Sequence, residues 1–146
     1  MRQLTRAAVG FAAALLLWGC ASSAVRVRTP ADFAELSDEM AQRYTMLEML
    51  RVAAANAAAR IDTGDYAASL TGLARAGYLE TAIDNDAWGN AFVYTTGADT
   101  YTITSLGSDG AAGPGPPPVF WELGEAAGVD IMLTDGVFTQ NPGFGR

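Results

Sequence analysis

Few residues in this 146-residue chain can do chemistry, and nearly all of them are oxygen donors. There is no histidine, which removes the commonest general base and the commonest ligand for zinc or copper. Cys20 is the only cysteine, so neither an intrachain disulfide nor a cysteine-based metal cluster can form. Asp84, Asp86 and Asp99 could gather into an acidic cluster, although Asp and Asn ahead of a hairpin more often serve turns. No nucleophile–base pair or carboxylate pair can be assigned, so an enzyme is not expected. Trp88 could stack on a sugar or a partner, but such a Trp more often packs over a helix and gives its indole N–H to a backbone acceptor. Phe120 and Trp121 follow a proline run and either dock a partner or cover a sheet. The formal net charge of -7 argues against nucleic acid, whose phosphates need clustered Lys and Arg. It fits a soluble domain, or one that recruits cations.

The N-terminus has the composition of an export signal. Arg2 and Arg6 precede an apolar run over 7–18, about a dozen residues and short for a membrane span. Leu17-Trp-Gly-Cys20 then resembles the lipobox of bacterial lipoproteins. That resemblance implies diacylation of the Cys20 thiol and cleavage that leaves Cys20 first. Multiple acyl chains hold a protein far better than one, at about 0.8 kcal/mol per buried methylene. Ala21 after the cysteine resembles the pattern passed to the outer membrane. Gly10-Phe11 looks superficially like a prepilin cleavage site, but prepilins carry Glu where this chain has Leu15, and their apolar helix runs on past the position of Cys20. The chain therefore divides into a signal peptide over 1–19, a lipidated tether over 20–28 and one domain over 29–146.

Elements that could position the remaining groups follow from periodicity. Thr29-Pro-Ala-Asp32 reads as a helix start, with Thr29 as N-cap and Pro30 in the first turn. Apolar residues recur at Phe33, Leu36, Met40, Tyr44, Leu47, Leu50, Ala54, Ala57 and Ile61. Steps of three and four predict one apolar face on a continuous helix of roughly 48 Å. The stretch Met46, Leu47, Met49 and Leu50 reads as core or as a helix–helix seam. Gly64 suits a left-handed cap. Leu70, Leu73 and Ala74 predict a short second helix closed by Gly77. Residues 92–95 and 100–104, rich in β-branched and aromatic side chains, predict an antiparallel hairpin. Residues 110–118 form a Gly/Pro loop, 129–133 a third strand, and 141–146 a loose tail.

Taken in order, the motifs are Ile61-Asp-Thr-Gly-Asp-Tyr66, Gly77-Tyr-Leu79, Asp86-Ala-Trp-Gly-Asn90 with Phe92-Val-Tyr94, Ser105-Leu-Gly-Ser-Asp-Gly110, and Val129-Asp-Ile131. Over residues 40–131 this series resembles the globular domain of the type II secretion major (G-type) pseudopilin. The resemblance implies an α+β pilin-like head: a long N-terminal helix packed on a small antiparallel β-sheet. Three departures stand out. A lipobox takes the place of the methylated membrane-spanning helix, the segment before Tyr78 is short, and the loop between Asp109 and Asp130 is long and carries Pro114, Pro116, Pro117 and Pro118.

In that family the Ser-Leu-Gly-x-Asp-Gly loop binds calcium, a hard cation that takes six to eight oxygens. Carried over by motif, Asp109 and Asp130 match the acidic positions and Leu106 the residue offering its carbonyl, with Ser108 as a further oxygen donor. The family's additional acid is not matched; Glu122 or Glu125 could replace it. Without an ion, Asp109-Gly110 is a turn and Asp130 a solvated strand residue. The expected function is a lipid-anchored, pseudopilin-like structural component of a type II secretion or pilus-type apparatus, on the periplasmic face of the outer membrane. Its expected partners are the membrane, through the anchor, and secretion or pilus-type proteins. The alternative is a calcium-stabilised periplasmic binding lipoprotein unrelated to secretion.

Overall fold

The computed structural model describes residues 36–113 and 120–143. The signal peptide, Cys20, the tether, the Thr29 cap and the proline run lie outside the described residues, and of Phe120 only the backbone is described. Helix α1, Asp38–Thr63, is capped by Ser37, whose hydroxyl accepts from the Met40 N–H, and its first turn carries Asp38 and Glu39, where carboxylates suit the positive end of the helix dipole. Leu36 and Ser37 are not helical, and Ser37 has extended backbone (φ -63°, ψ 155°). The sequence-based expectation of one continuous rod from Pro30 is therefore corrected. The described helix has 26 residues, about 39 Å. Its C-terminal end matches expectation: Gly64 has φ 86° and returns its N–H to the Arg60 carbonyl.

The face that α1 buries differs from the one its three-and-four spacing selected. Ala41, Met46, Met49, Val52, Ala53, Ala55 and Ala59 are buried, with Gln42, Thr45 and Asn56. Met40, Leu47, Leu50 and Ile61 of the predicted stripe are 41%, 51%, 45% and 83% exposed. The helix is apolar around most of its circumference, so spacing alone does not choose a face. Polar anchoring does. Gln42 gives its amide N–H to the Glu125 carbonyl and accepts from the Gly124 N–H. The Thr45 hydroxyl accepts from the Ala87 N–H. The Asn56 carbonyl oxygen accepts from the Ala67 N–H and the Tyr94 hydroxyl. Each satisfies backbone or hydroxyl groups that would otherwise be buried without a partner.

Helix α2, Leu70–Arg75, is capped by Ser69 and buries Leu70 and Leu73. The sheet comprises β1 (Val93–Thr96), β2 (Tyr101–Ser105), β3 (Phe120–Glu122), β4 (Ile131–Thr134) and β5 (Val137–Gly143), in the order β1-β2-β4-β5-β3. The predicted hairpin is present, with Tyr94 opposite Ile103. β4 pairs antiparallel with β2, placing Ile131 opposite Ser105 and Leu133 opposite Ile103. Tyr101, Ile103, Ile131 and Leu133 are buried against Met46, Met49 and Val52 of α1, as alternation along half-buried strands requires. The fold is thus the expected α+β arrangement, a helix on a sheet.

Two elements differ from the sequence-based reading. The sheet is mixed, because β3 pairs parallel with β5. Residues 141–143 are not a loose tail: they complete β5, and Asn141 and Pro142 are buried. The joint between β4 and β5 is Asp135-Gly136, both with positive φ (50° and 83°), the backbone that two-residue hairpin turns need.

Candidate functional site

Three of the motifs singled out from sequence, at 86–90, 105–110 and 129–131, converge on one end of the sheet; Tyr66 of the 61–66 motif packs instead on Tyr101. The Asp86-Ala-Trp-Gly-Asn90 segment closes on itself, with the Asp86 N–H donating to the Asn90 carbonyl (2.9 Å). Asp86 Oδ1 accepts from the backbone N–H groups of Trp88 (3.0 Å) and Asn90 (2.9 Å). Its other oxygen accepts from the Ser105 hydroxyl at 2.7 Å. Asp86 is 4% exposed. That burial raises its carboxyl above the ordinary carboxylate range, although Ser105 and the N–H groups of Asn90, Trp88 and Gly89 each pull it back down. Asp86 is a structural hub, and it does not form a cluster with Asp99, which pairs with Arg60 at 2.9 Å.

The Ser105–Gly110 loop is built on this hub. The Ser105 Oγ accepts from the Gly107 N–H, and the Asn90 amide donates to the Gly107 carbonyl at 2.7 Å. Gly107 has φ 64°, and a Cβ there would lie 2.6 Å from the Ala127 carbonyl oxygen, a contact no side chain tolerates. The Ser108 N–H donates to that same carbonyl at 2.8 Å, tying the loop to the stretch that carries Asp130.

Four oxygen-bearing residues were expected to hold calcium: Leu106, Ser108, Asp109 and Asp130. The two carboxylates both grip the turn that follows. Asp109 Oδ1 accepts from the Ala111 N–H (2.9 Å), and Asp130 Oδ2 accepts from the Gly113 N–H (3.1 Å). Asp130 Oδ1 is buried and has no hydrogen-bond partner among the described residues. A buried anionic oxygen left without a donor is the chemistry a hard cation satisfies, so the donor set fits calcium. It is sparse, however. Among the described residues no three Asp, Glu, His or Cys side chains group to hold a metal. Glu125 does not supply the missing acid as a matter of observed contact; its carbonyl is held by Gln42.

The aromatic residues separate by role. Trp88 is half-buried against the core, and its indole N–H points to a side chain, Asp38 Oδ1 at 3.4 Å, rather than to the expected backbone acceptor. Trp121 packs against the core as well, so it covers the sheet. A shallow cleft of roughly 300 Å³ opens between the end of α1 and the β4–β5 turn, lined by Ala53, Ala57, Ile61, Tyr66 and Tyr101 with Arg60 and Asp135 at its edge. Arg60 stacks over the Tyr66 ring at 4.6 Å, and Tyr66 meets Tyr101 edge-on. Burial pushes the Tyr101 hydroxyl up to about 12. The cleft's charged groups are engaged at the rim: Arg60 pairs with Asp99 and donates to the Ala98 carbonyl, and Asp135 accepts from the Thr100 hydroxyl and the Tyr101 N–H.

Helix, hairpin and loop together define a pilin-like α+β head in which Asp86, Asn90 and Ser105 hold the 105–110 loop by hydrogen bonds. Residues 67–116 match the family model for type II secretion system (T2SS), protein G. Over that segment the chain is similar to protein G, and the match takes in α2, the Asp86–Asn90 turn, the hairpin and the loop. No curated protein and no solved structure matches the chain significantly.

Proposed function

We propose that the protein is a lipid-anchored, pseudopilin-like structural component of a type II secretion apparatus in the cell envelope, with a calcium ion steadying its 105–110 loop. The observation that carries this reading is the family match over the segment that holds both the hairpin and the loop. A structural role also agrees with the site itself, where the polar groups are spent on holding backbone. Anchoring through Cys20 rests on the lipobox and on the short apolar run before it. Among the described residues no helix is long and apolar enough to cross a membrane. In this reading acyl chains do what a spanning helix does in other pseudopilins.

Calcium would be held by the carboxylates of Asp109 and Asp130, the Leu106 carbonyl and the Ser108 hydroxyl, with water completing the shell. It would supply charge neutralisation at the buried Asp130 oxygen and a clamp across the long loop. Crosslinking in cells followed by pull-down tests the main claim. Recovery of secretion-machine components is expected, and their absence would favour a periplasmic binding lipoprotein unrelated to secretion. Labelling with a palmitate analogue tests the anchor, since Cys20→Ser should lose the label. A melt midpoint that stays put between millimolar calcium and EGTA would remove the ion.

A further inference from the structure

We infer that Asn90, backed by Asp86, is a positioning residue for the cation loop: its side chain sets the peptide orientation at the oxygens that would face the ion. The inference rests on the calcium reading above. The loop's oxygen-bearing residues lie at 106, 108 and 109; Asn90 meets the backbone at Gly107 and Gly110, on either side of 108 and 109, while the peptide that carries the Leu106 carbonyl is held through the Gly107 N–H by Ser105. Its amide donates to the Gly107 carbonyl at 2.7 Å, and its Oδ1 lies so near Gly110 that a Cβ there would come within 2.9 Å. Ser105, at the entry to the loop, is held by Asp86 at 2.7 Å and in turn accepts from the Gly107 N–H. Leu106 therefore sits between two residues whose peptides are pinned, and Ser108 and Asp109 sit between Gly107 and Gly110.

The turn that provides these bonds is itself anchored. Asp86 Oδ1 takes the N–H groups of Trp88 and Asn90, and the Ala87 N–H reaches Thr45 on α1 at 3.1 Å. A ligand carbonyl must present its oxygen within a narrow angle, and groups that orient ligands commonly change metal affinity 10- to 100-fold when lost. This gives the Trp-Gly-Asn stretch a purpose beyond turning the chain. The Asn90 carbonyl and N–H close the turn, while the Asn90 side chain is free to serve the neighbouring loop.

The test uses the full chain and calcium alone as the probe. Calcium affinity is measured by calorimetry for the wild type, for Asn90→Ala and for the near-isosteric Asn90→Leu, each first shown to melt cooperatively in EGTA. Tenfold or greater weakening in a folded Asn90 variant is the expected result. The Trp88 fluorescence change on adding calcium should be lost in parallel in a background where Trp18 and Trp121 are both changed to Phe, a readout that general destabilisation would not move. Wild-type affinity in either folded Asn90 variant overturns the positioning role while leaving the calcium reading intact. A wild-type protein that binds no calcium overturns both. Asp109→Ala serves as the control for the site, and retained binding there would place the ion elsewhere.

Discussion

The Asp86 carboxylate and the Ser105 hydroxyl meet at 2.7 Å across 19 residues of chain, joining the turn ahead of the first hairpin to the last residue of its second strand. Three donors converge on this one buried carboxylate: Ser105 and the N–H groups of Trp88 and Asn90. Asp86→Ala would strand all three, and each buried donor left unmade costs about 1–3 kcal/mol. A total loss of about 3 kcal/mol or more is expected in urea melts. Asp86→Asn should cost much less, because its Oδ1 keeps both N–H groups and its amide can donate to Ser105 in place of the reversed bond. Equal losses in the two variants would show that charge, not hydrogen bonding, matters here.

The same carboxyl makes a prediction in pH. Burial raises the folded-state value above the 3.8 of the free side chain, so the native state binds a proton more readily than the unfolded chain does. The resulting stability is fully present below the unfolded value and is lost as pH rises through the raised folded value. The difference in unfolding free energy between the wild type and Asp86→Asn should therefore shift against the wild type from acidic toward neutral pH and then level off. A difference that moves in favour of the wild type over that range would reverse the assigned shift.

The two faces of α1 offer a third test. Met49 is fully buried, whereas Leu47 is 51% and Leu50 45% exposed. Met49→Ala should cost about 2–5 kcal/mol, the range for emptying a core position. Leu47→Ser and Leu50→Ser should each stay within about 0.5 kcal/mol, as surface changes do. Thermal or urea melts decide it, and a large loss at Leu47 would place that face in a core.

That contrast also marks how far the sequence could be read. The helix ends at Gly64, the hairpin around residues 97–99 and the second helix at Leu70 were legible because caps, turns and β-branched runs are local signals. The buried face of α1 was not, because Met46, Leu47, Met49 and Leu50 are all apolar and the choice among them is made by Gln42, Thr45 and Asn56 reaching distant backbone. β5 was missed although Asp135-Gly136 was a usable hairpin signal: residues 137–140 carry no clear strand alternation, and the chain from Asn141 onward reads as a tail. Gln140 and Asn141 are buried all the same, with the Gln140 amide donating to the Asp130 carbonyl. At the site, motif order pointed to Asp109 and Asp130, but the part played by Asp86 depends on a contact with Ser105 that no spacing announces.

Two glycines with positive φ separate backbone strain from steric exclusion. Gly64 (φ 86°) has nothing within 4 Å of a built Cβ, whereas at Gly107 (φ 64°) the Cβ would lie 2.6 Å from the Ala127 oxygen and 2.9 Å from the Gly128 carbonyl carbon. Gly64→Ala should cost about 1–2 kcal/mol, the left-handed penalty alone. Gly107→Ala must pay that and also push the 127–128 backbone away, breaking the Ser108 N–H bond to Ala127. Its loss should exceed that of Gly64→Ala by at least about 1 kcal/mol, the scale of overpacking strain. It should also uncouple the 106–109 loop from the segment bearing Asp130, visible as faster amide exchange at Ser108. Matching losses at the two positions, with Ser108 exchange unchanged, would mean that the loop does not press on Ala127 as the geometry requires.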